Sequence, residues 1–188
     1  MASTSEFRNG LCLEFNNDIF VVVEFLHVKP GKGAAFVRTK LKSFKTGRVL
    51  EHTFPASAKI DVTRVERRPY QFLYKEGSDS YTLMHEETYE QITVLESMIS
   101  NPGLLKEGQV IEVLYHVDTE TPLACELPAF VDLTVTYTEP GVKGDTATNA
   151  MKRATVDTGA EVMIPLFIET GEKIRVDTRT NRYSERVK

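Results

Sequence analysis

Turn residues cut this chain into short apolar runs at close intervals, and that punctuation limits what it can fold into. Runs rich in β-branched and aromatic residues span 19–28 (IFVVVEFLHV), 34–44, 49–54, 70–74, 110–117, 131–138, 161–168 and 173–177. Between them stand Lys29-Pro30-Gly31-Lys32-Gly33, Glu76-Gly77-Ser78, Asn101-Pro102-Gly103, Glu139-Pro140-Gly141 and Glu169-Thr170-Gly171. Many short strands with Gly- and Pro-containing turns predict an all-β chain of small barrels or sandwiches. The stretch 88–99 has the best helical spacing and is expected to form one short helix. In 188 residues, boundaries near Thr63/Arg64 and Leu127/Pro128 give three segments, 1–63, 64–127 and 128–188. About 60 residues each is small but sufficient for a five-stranded barrel. Gly108 opens GQVIEVLYHVDT and Gly159 opens GAEVMIPLFIET, an echo that suggests two similar barrels in the second and third segments.

Charge is distributed unevenly. The net charge is −4, yet 25–50 contains no acidic residue and carries Lys29, Lys32, Arg38, Lys40, Lys42, Lys45 and Arg48. By segment the formal charges are +3, −7 and 0. A basic window of this kind is a solvated face or the footprint of a polyanion. Its geometry favours the second. In 34–44, Val37, Thr39 and Leu41 alternate with Arg38, Lys40 and Lys42, so period two places the cations on one face of a strand. That strand and 19–28 form a long hairpin with the KPGKG turn at its tip.

Several chemistries fail on the residues. The GKG element lacks the glycine spacing and the following Ser or Thr of a phosphate loop, and leads into a strand. His85-Glu86-Glu87 is not a zinc-protease motif, and His27, His52, His85 and His116 are scattered, as strand-surface or packing histidines are. Cys12 and Cys125 have neither metal spacing nor a partner that would make a nucleophile. No run reaches the length of a membrane span, and 1–14 lacks an apolar signal core, so a cytoplasmic protein is expected. Lys32 remains. Its flanking glycines hold it away from the body, whereas an enzymic lysine needs desolvation. Contact with a partner, or covalent modification, suits it better than a Schiff base.

Five motifs occur in order. They are Val28-Lys29-Pro30-Gly31-Lys32-Gly33, with Ala35-Phe36-Val37 and Lys40-Leu41; Thr46-Gly47-x-Val49 leading to Thr53-Phe54; and Pro140-Gly141-Val142-Lys143-Gly144-Asp145-Thr146-Ala147. Next come Lys152-x-Ala154 with Gly159-x-x-Val162-x-Ile164-Pro165-Leu166-Phe167-Ile168-x-x-Gly171, and finally Ile174-x-Val176-Asp177-Thr178-Arg179 with Tyr183 and Arg186-Val187-Lys188. In order and spacing, over essentially the whole length, the chain resembles the bacterial elongation factor P family. The middle segment matches most loosely.

The resemblance implies three small β-barrels in a row, an SH3-like (KOW-like) barrel and two OB folds, in an elongated tRNA-like shape. It implies a translation factor, not an enzyme, that binds the 70S ribosome between the P and E sites. There it contacts rRNA and P-site peptidyl-tRNA and relieves stalling at consecutive prolines. No cofactor is implied. Lys32 matches the lysine that a dedicated enzyme lengthens, by β-lysylation or aminopentanol attachment among others. Lys29, Pro30, Gly31 and Gly33 would shape the tip, and Arg38, Lys40 and Lys42 would meet RNA phosphates. Gly144, Asp145 and Thr146 match a loop used near the small subunit, where Tyr183 and Arg186 would supply stacking and phosphate contacts or, equally, serve a structural role at the chain end. A monomer is expected. The acidic middle segment would face solvent or a basic ribosomal protein. Two other readings stand beside this one. A general OB-type RNA binder would show aromatics along a basic groove, and here only Phe36 and Phe44 flank the basic strand. A lysine-dependent enzyme would be trapped by borohydride with a carbonyl compound.

Overall fold

The computed structural model describes residues 2–140 and 150–187. It is all-β, with strands and single turns of 3-10 helix and no α-helix among the described residues. The strands form three antiparallel sheets. Compactness divides the chain into two units, Met1–Arg68 with Val113–Ala124, and Pro69–Glu112 with Cys125–Lys188.

The first sheet takes β1 (Ala2–Ser3), β2 (Cys12–Phe15), β3 (Asp18–Val28), β4 (Phe36–Ser43), β5 (Val49–Pro55) and β6 (Lys59–Val62), in the order β1-β6-β2-β3-β4-β5. The alternation expected of 34–44 is present. Val37, Thr39, Leu41 and Ser43 are buried, Arg38 and Lys42 exposed, and Lys40 half-buried. The apolar members join a core with Phe7, Leu13, Phe20, Val22, Phe54 and Ile60. The hydroxyl of Thr39 on this inner face donates to the His52 carbonyl at 2.9 Å, which meets the requirement that a buried polar group be paired.

The second sheet takes β7 (Val65–Glu76), β8 (Ser80–His85), β9 (Gln91–Leu95), β10 (Val110–His116) and β11 (Thr121–Glu126), in the order β11-β10-β7-β8-β9. The third takes β12 (Phe130–Thr138), β13 (Met151–Val156), β14 (Glu161–Pro165), β15 (Lys173–Asp177) and β16 (Arg182–Val187), in the order β14-β13-β12-β15-β16. Numbered within each sheet, both read fifth-fourth-first-second-third. In both, the central first strand has a register shift against the second, at Phe72/Tyr74 and at Val135/Tyr137.

The two sheets also share one backbone motif. Phe72 N–H donates to the Gln109 carbonyl and Phe72 carbonyl accepts from Gly108 N–H, each at 2.8 Å. Val135 N–H donates to the Glu172 carbonyl at 2.9 Å, and its carbonyl accepts from Gly171 N–H at 2.8 Å. Phe72 and Val135, Gly108 and Gly171, and Gln109 and Glu172 are each separated by the same 63 positions. The echo between Gly108 and Gly159 therefore pairs the wrong strands. Gly108 precedes a fourth strand, whereas Gly159 precedes β14, a third strand. A glycine followed by alternating apolar residues looks alike at both places, and only the destination of the glycine N–H separates them.

The expected helix at 88–99 is a strand and one 3-10 turn, β9 and Glu96–Met98. Its inward residues follow period two. Val94 is buried, and Leu95, which a helix would turn inward, is 51% exposed. The preceding turn is closed by Tyr89 in the left-handed region, φ 60°, while His85 Nδ1 accepts the N–H groups of Glu87 and Thr88 at 3.1 and 3.2 Å.

Two expected outcomes follow from this packing. Gly108 and Gly171 hold φ of +81° and +89° with no atom crowding either Cα. Gly108→Ala and Gly171→Ala should each cost about 1–2 kcal/mol, and by similar amounts, in urea unfolding. In the third sheet, Arg175 bridges Asp132 at 2.8 Å, the Glu169 N–H and then Arg186 hold Glu172, and Arg179 holds Asp177. All three carboxyls sit below the ordinary carboxylate range for those reasons. Their contribution is complete above that range and is lost as pH falls through the lowered values. Urea midpoints should therefore drop below about pH 4, and less steeply in high salt because these groups face solvent.

Candidate functional site

Among the described residues, the β3–β4 hairpin gathers most of those singled out above. Its register runs from Phe20↔Ser43 to Val28↔Phe36, with one shift between Val22 and Glu24. β-Branched and aromatic residues, which suit a pleated strand, dominate β3; it pairs with β2 over residues 18–21 and with β4 out to Val28. Beyond Val28 the pairing stops. Lys29, Pro30, Gly31, Lys32, Gly33 and Ala34 are all exposed. Pro30 has no N–H to offer a ladder. Gly33 has φ +112°, which side chains rarely adopt, and a Cβ there would stand 3.8 Å from Pro30 Cγ. Glycine is thus needed for the backbone angle and not for space. Among the described residues, neither Lys29 nor Lys32 has a hydrogen bond or an ion pair. Lys32 ends a projection with solvent around its ammonium.

Behind the tip, Arg38, Lys40 and Lys42 share the outer face of β4, but they are not equivalent. Lys40 Nζ lies 2.7 Å from Glu24 Oε2 and is opposite Glu51 in the β4–β5 register. The hydrogen bond and charge of Glu24, with a smaller effect from Glu51, raise the Lys40 pKa. Glu24 and Glu51 are the acids that bound the acid-free window in sequence, and folding brings both to its middle cation. Arg38 lies 5.6 Å over the Phe36 ring, so the aromatic face nearest the tip is covered by a cation. Lys42 has no partner among the described residues. Leu26 and Val49, 59% and 55% exposed, add apolar surface on β3 and β5. The cross-strand register signals these neighbours, and the linear sequence does not.

The remaining candidates lie elsewhere. Tyr183 and Arg186 are on β16, in the other compact unit. Tyr183 is half-buried against the third-sheet core of Val131, Leu133, Ile164 and Ile174, and burial raises its phenol pKa. Arg186 Nη1 is 2.9 Å from Glu172 Oε1. Gly144, Asp145 and Thr146 lie outside the described residues. The four histidines pack as strand residues do: His27 edge-on to Phe25, His52 against Phe15 and Phe54, His85 against Tyr70, and His116 buried. Burial pushes the Cys125 thiol up to about 12 and raises that of Cys12, so both resist forming a thiolate. No helix of the described residues is long and apolar enough to cross a membrane.

Three family models match in succession. Residues 3–60 match the elongation factor P (EF-P) KOW-like domain, 65–124 the elongation factor P (EF-P) OB domain, and 131–186 the elongation factor P C-terminal region. The chain is 58% identical over 188 residues to "Elongation factor P" of Amoebophilus asiaticus, covering all of this chain and 98% of that protein. It is 57% identical to "Elongation factor P" of Flavobacterium psychrophilum and 56% to "Elongation factor P 1" of Porphyromonas gingivalis, each over the full length of both chains. A solved structure, "Eukaryotic translation initiation factor 5A from Methanococcus jannaschii", shares the fold with a TM-score of 0.53. It is 22% identical and covers 66% of this chain and 92% of its own. With family models matched along nearly its whole length and full-length relatives above 55% identity, the chain belongs to the elongation factor P family of translation factors.

Proposed function

We propose that this chain binds the 70S ribosome between the P and E sites and positions peptidyl-tRNA through Lys32, which relieves stalling at consecutive prolines. The observation that carries this reading is Lys32 itself, without a partner among the described residues, at the end of a glycine-bent projection with a cationic strand behind it. Proline presents a secondary amine on a restricted backbone, so the reacting groups are poorly placed. A rigid projection that holds the tRNA end recovers part of that orientational barrier. The ribosome makes the bond, and the factor acts without enzymic chemistry or cofactor of its own. A covalent extension of Lys32, added by a separate enzyme, would lengthen its reach. Arg38 and Lys42 would meet phosphates of rRNA or tRNA along the hairpin.

We read each sheet as one domain, 1–63, 64–127 and 128–188, in a monomer that works in the cytoplasm. Gly144, Asp145 and Thr146, which match a loop of the family, would act near the small subunit.

Reconstituted translation of a three-proline reporter beside a proline-free control tests the reading. Native protein should accelerate only the proline reporter, and Lys32→Ala should lower that rescue by about tenfold or more, the equivalent of at least about 1.4 kcal/mol of barrier. Equal rescue by Lys32→Ala would reject the lever, and no rescue by native protein would reject the function. Mass spectrometry of natively purified protein should place added mass on the peptide that contains Lys32. Arg38→Ala and Lys42→Ala should each reduce the salt dependence of ribosome binding by a slope of about 1. Lys40→Ala should reduce it less, because Glu24 already holds that charge.

A further inference from the structure

A row of polar groups that starts in the interior and ends at the surface lies in the unit that carries the hairpin, and the proposed reading does not use it. Thr63 and His116 are both nearly inaccessible, at 6% exposure. Thr63 N–H donates to the Cys12 carbonyl at 3.1 Å, which fixes the residue to β2 of the first sheet. Its Oγ1 lies 2.6 Å from His116 Nε2. On the far side of the ring, Nδ1 is 2.5 Å from Thr119 Oγ1, which is 2.7 Å from Thr121 Oγ1. Glu14 of β2 places Oε1 3.8 Å from the same Nε2. One row thus joins β2 to the turn between β10 and β11. Beside it, Val117 N–H donates to the Arg64 carbonyl at 3.0 Å, and Arg68 bridges Glu120 at 2.7 and 3.1 Å.

These contacts differ in kind. The Glu120 carboxylate faces solvent, so its pair with Arg68 is screened and adaptable. The imidazole is buried, and a neutral ring offers one donor and one acceptor to two hydroxyls, each able to take either role. Deleting one hydroxyl strands a ring nitrogen away from water, and the row loses its direction. The row is therefore the element with the least tolerance in this junction.

We infer that Thr63 and His116 are positioning residues for the Lys32 lever: they clamp residues 113–124 against the sheet from which the hairpin projects. The inference rests on the lever reading. Its force comes from leverage. β4 has eight residues, about 26 Å at about 3.3 Å each, so a tilt of about 5° at its base moves the tip by about 2 Å. Displacements of about 1 Å already cost orienting catalysts heavily.

Thr63→Val removes the hydroxyl at nearly constant volume, Thr63→Ser keeps it, and Thr119→Ala breaks the row from its exposed end. In the free protein, hydrogen exchange at the Val117 amide should quicken by about tenfold in Thr63→Val, less in Thr119→Ala, and not in Thr63→Ser, with β4 amides unchanged. On ribosomes, Thr63→Val should lower the saturating rate on the three-proline reporter by about fivefold and leave the half-saturating concentration within about twofold. Thr63→Ser should restore that rate. Should Thr63→Val not fold, Thr119→Ala carries both measurements. Normal exchange with a normal saturating rate in Thr63→Val would overturn the clamp, as would an equal loss in Thr63→Ser. Wild-type protein without rescue would instead overturn the lever reading, and the exchange data would still decide whether the row holds 113–124 in place.

Discussion

With no α-helix among the described residues, the chain has to meet its buried backbone groups across strands, and sheets this small enclose a core only if they bend. The bend has a recurring location. The longest strand of each sheet carries a register shift: β3 between Val22 and Glu24, β7 between Phe72 and Tyr74, and β12 between Val135 and Tyr137. An extra residue at such a point increases twist and turns the strand toward its own inner face. Each of these strands lies at or next to the middle of its sheet, so both halves wrap with it. The buried sets Leu13, Val22, Val37 and Leu41, and Leu133, Val135, Ile164 and Ile174, are enclosed in this way.

The same alternation that buries one face of β4 sends its cations to the other. Core and cationic surface are therefore two readings of one strand, and neither can shift by a residue without inverting both. The outer face is more selective than its charge count implies. Lys40 is held by Glu24, Arg38 lies over Phe36, and Lys42 has no partner among the described residues. A basic window in sequence is an upper bound on the charge that the folded surface presents, because acids distant in sequence return across the ladder.

What was legible from the residues follows this logic. The β-class, the hairpin, the cationic face and the exposed tip rest on local rules: period two, turn chemistry and the absence of neighbours. Ordered motifs gave the family. The misreadings were non-local. Thr88 to Ile99 has apolar spacing that fits a helix until Leu95 is seen to face solvent, and a positive φ at Tyr89 leaves no signature in composition. The similarity of Gly108 to Gly159 is one of pattern, whereas the bond partners of Gly108 and Gly171 reveal the frame shared by the two five-stranded sheets. Tyr183 and Arg186 read from the sequence as RNA-contacting groups or as structural residues at the chain end alike, and only the fold shows that one packs on a core and the other meets Glu172. Pairing of this sort depends on which strands become neighbours.

The tip from Lys29 to Ala34 touches almost nothing, and this separates two kinds of selection. Its side chains contribute nothing to the core, so apart from the backbone angle that Gly33 holds, the folding equilibrium is nearly blind to their identity. Under the proposed function, variation there is filtered by what the terminal side chain reaches and by what a modifying enzyme accepts, while the body of the hairpin is filtered by packing. On that reading a lineage can replace the chemistry at the end of the hairpin, or the enzyme that elaborates it, without having to rebuild the sheet that holds it.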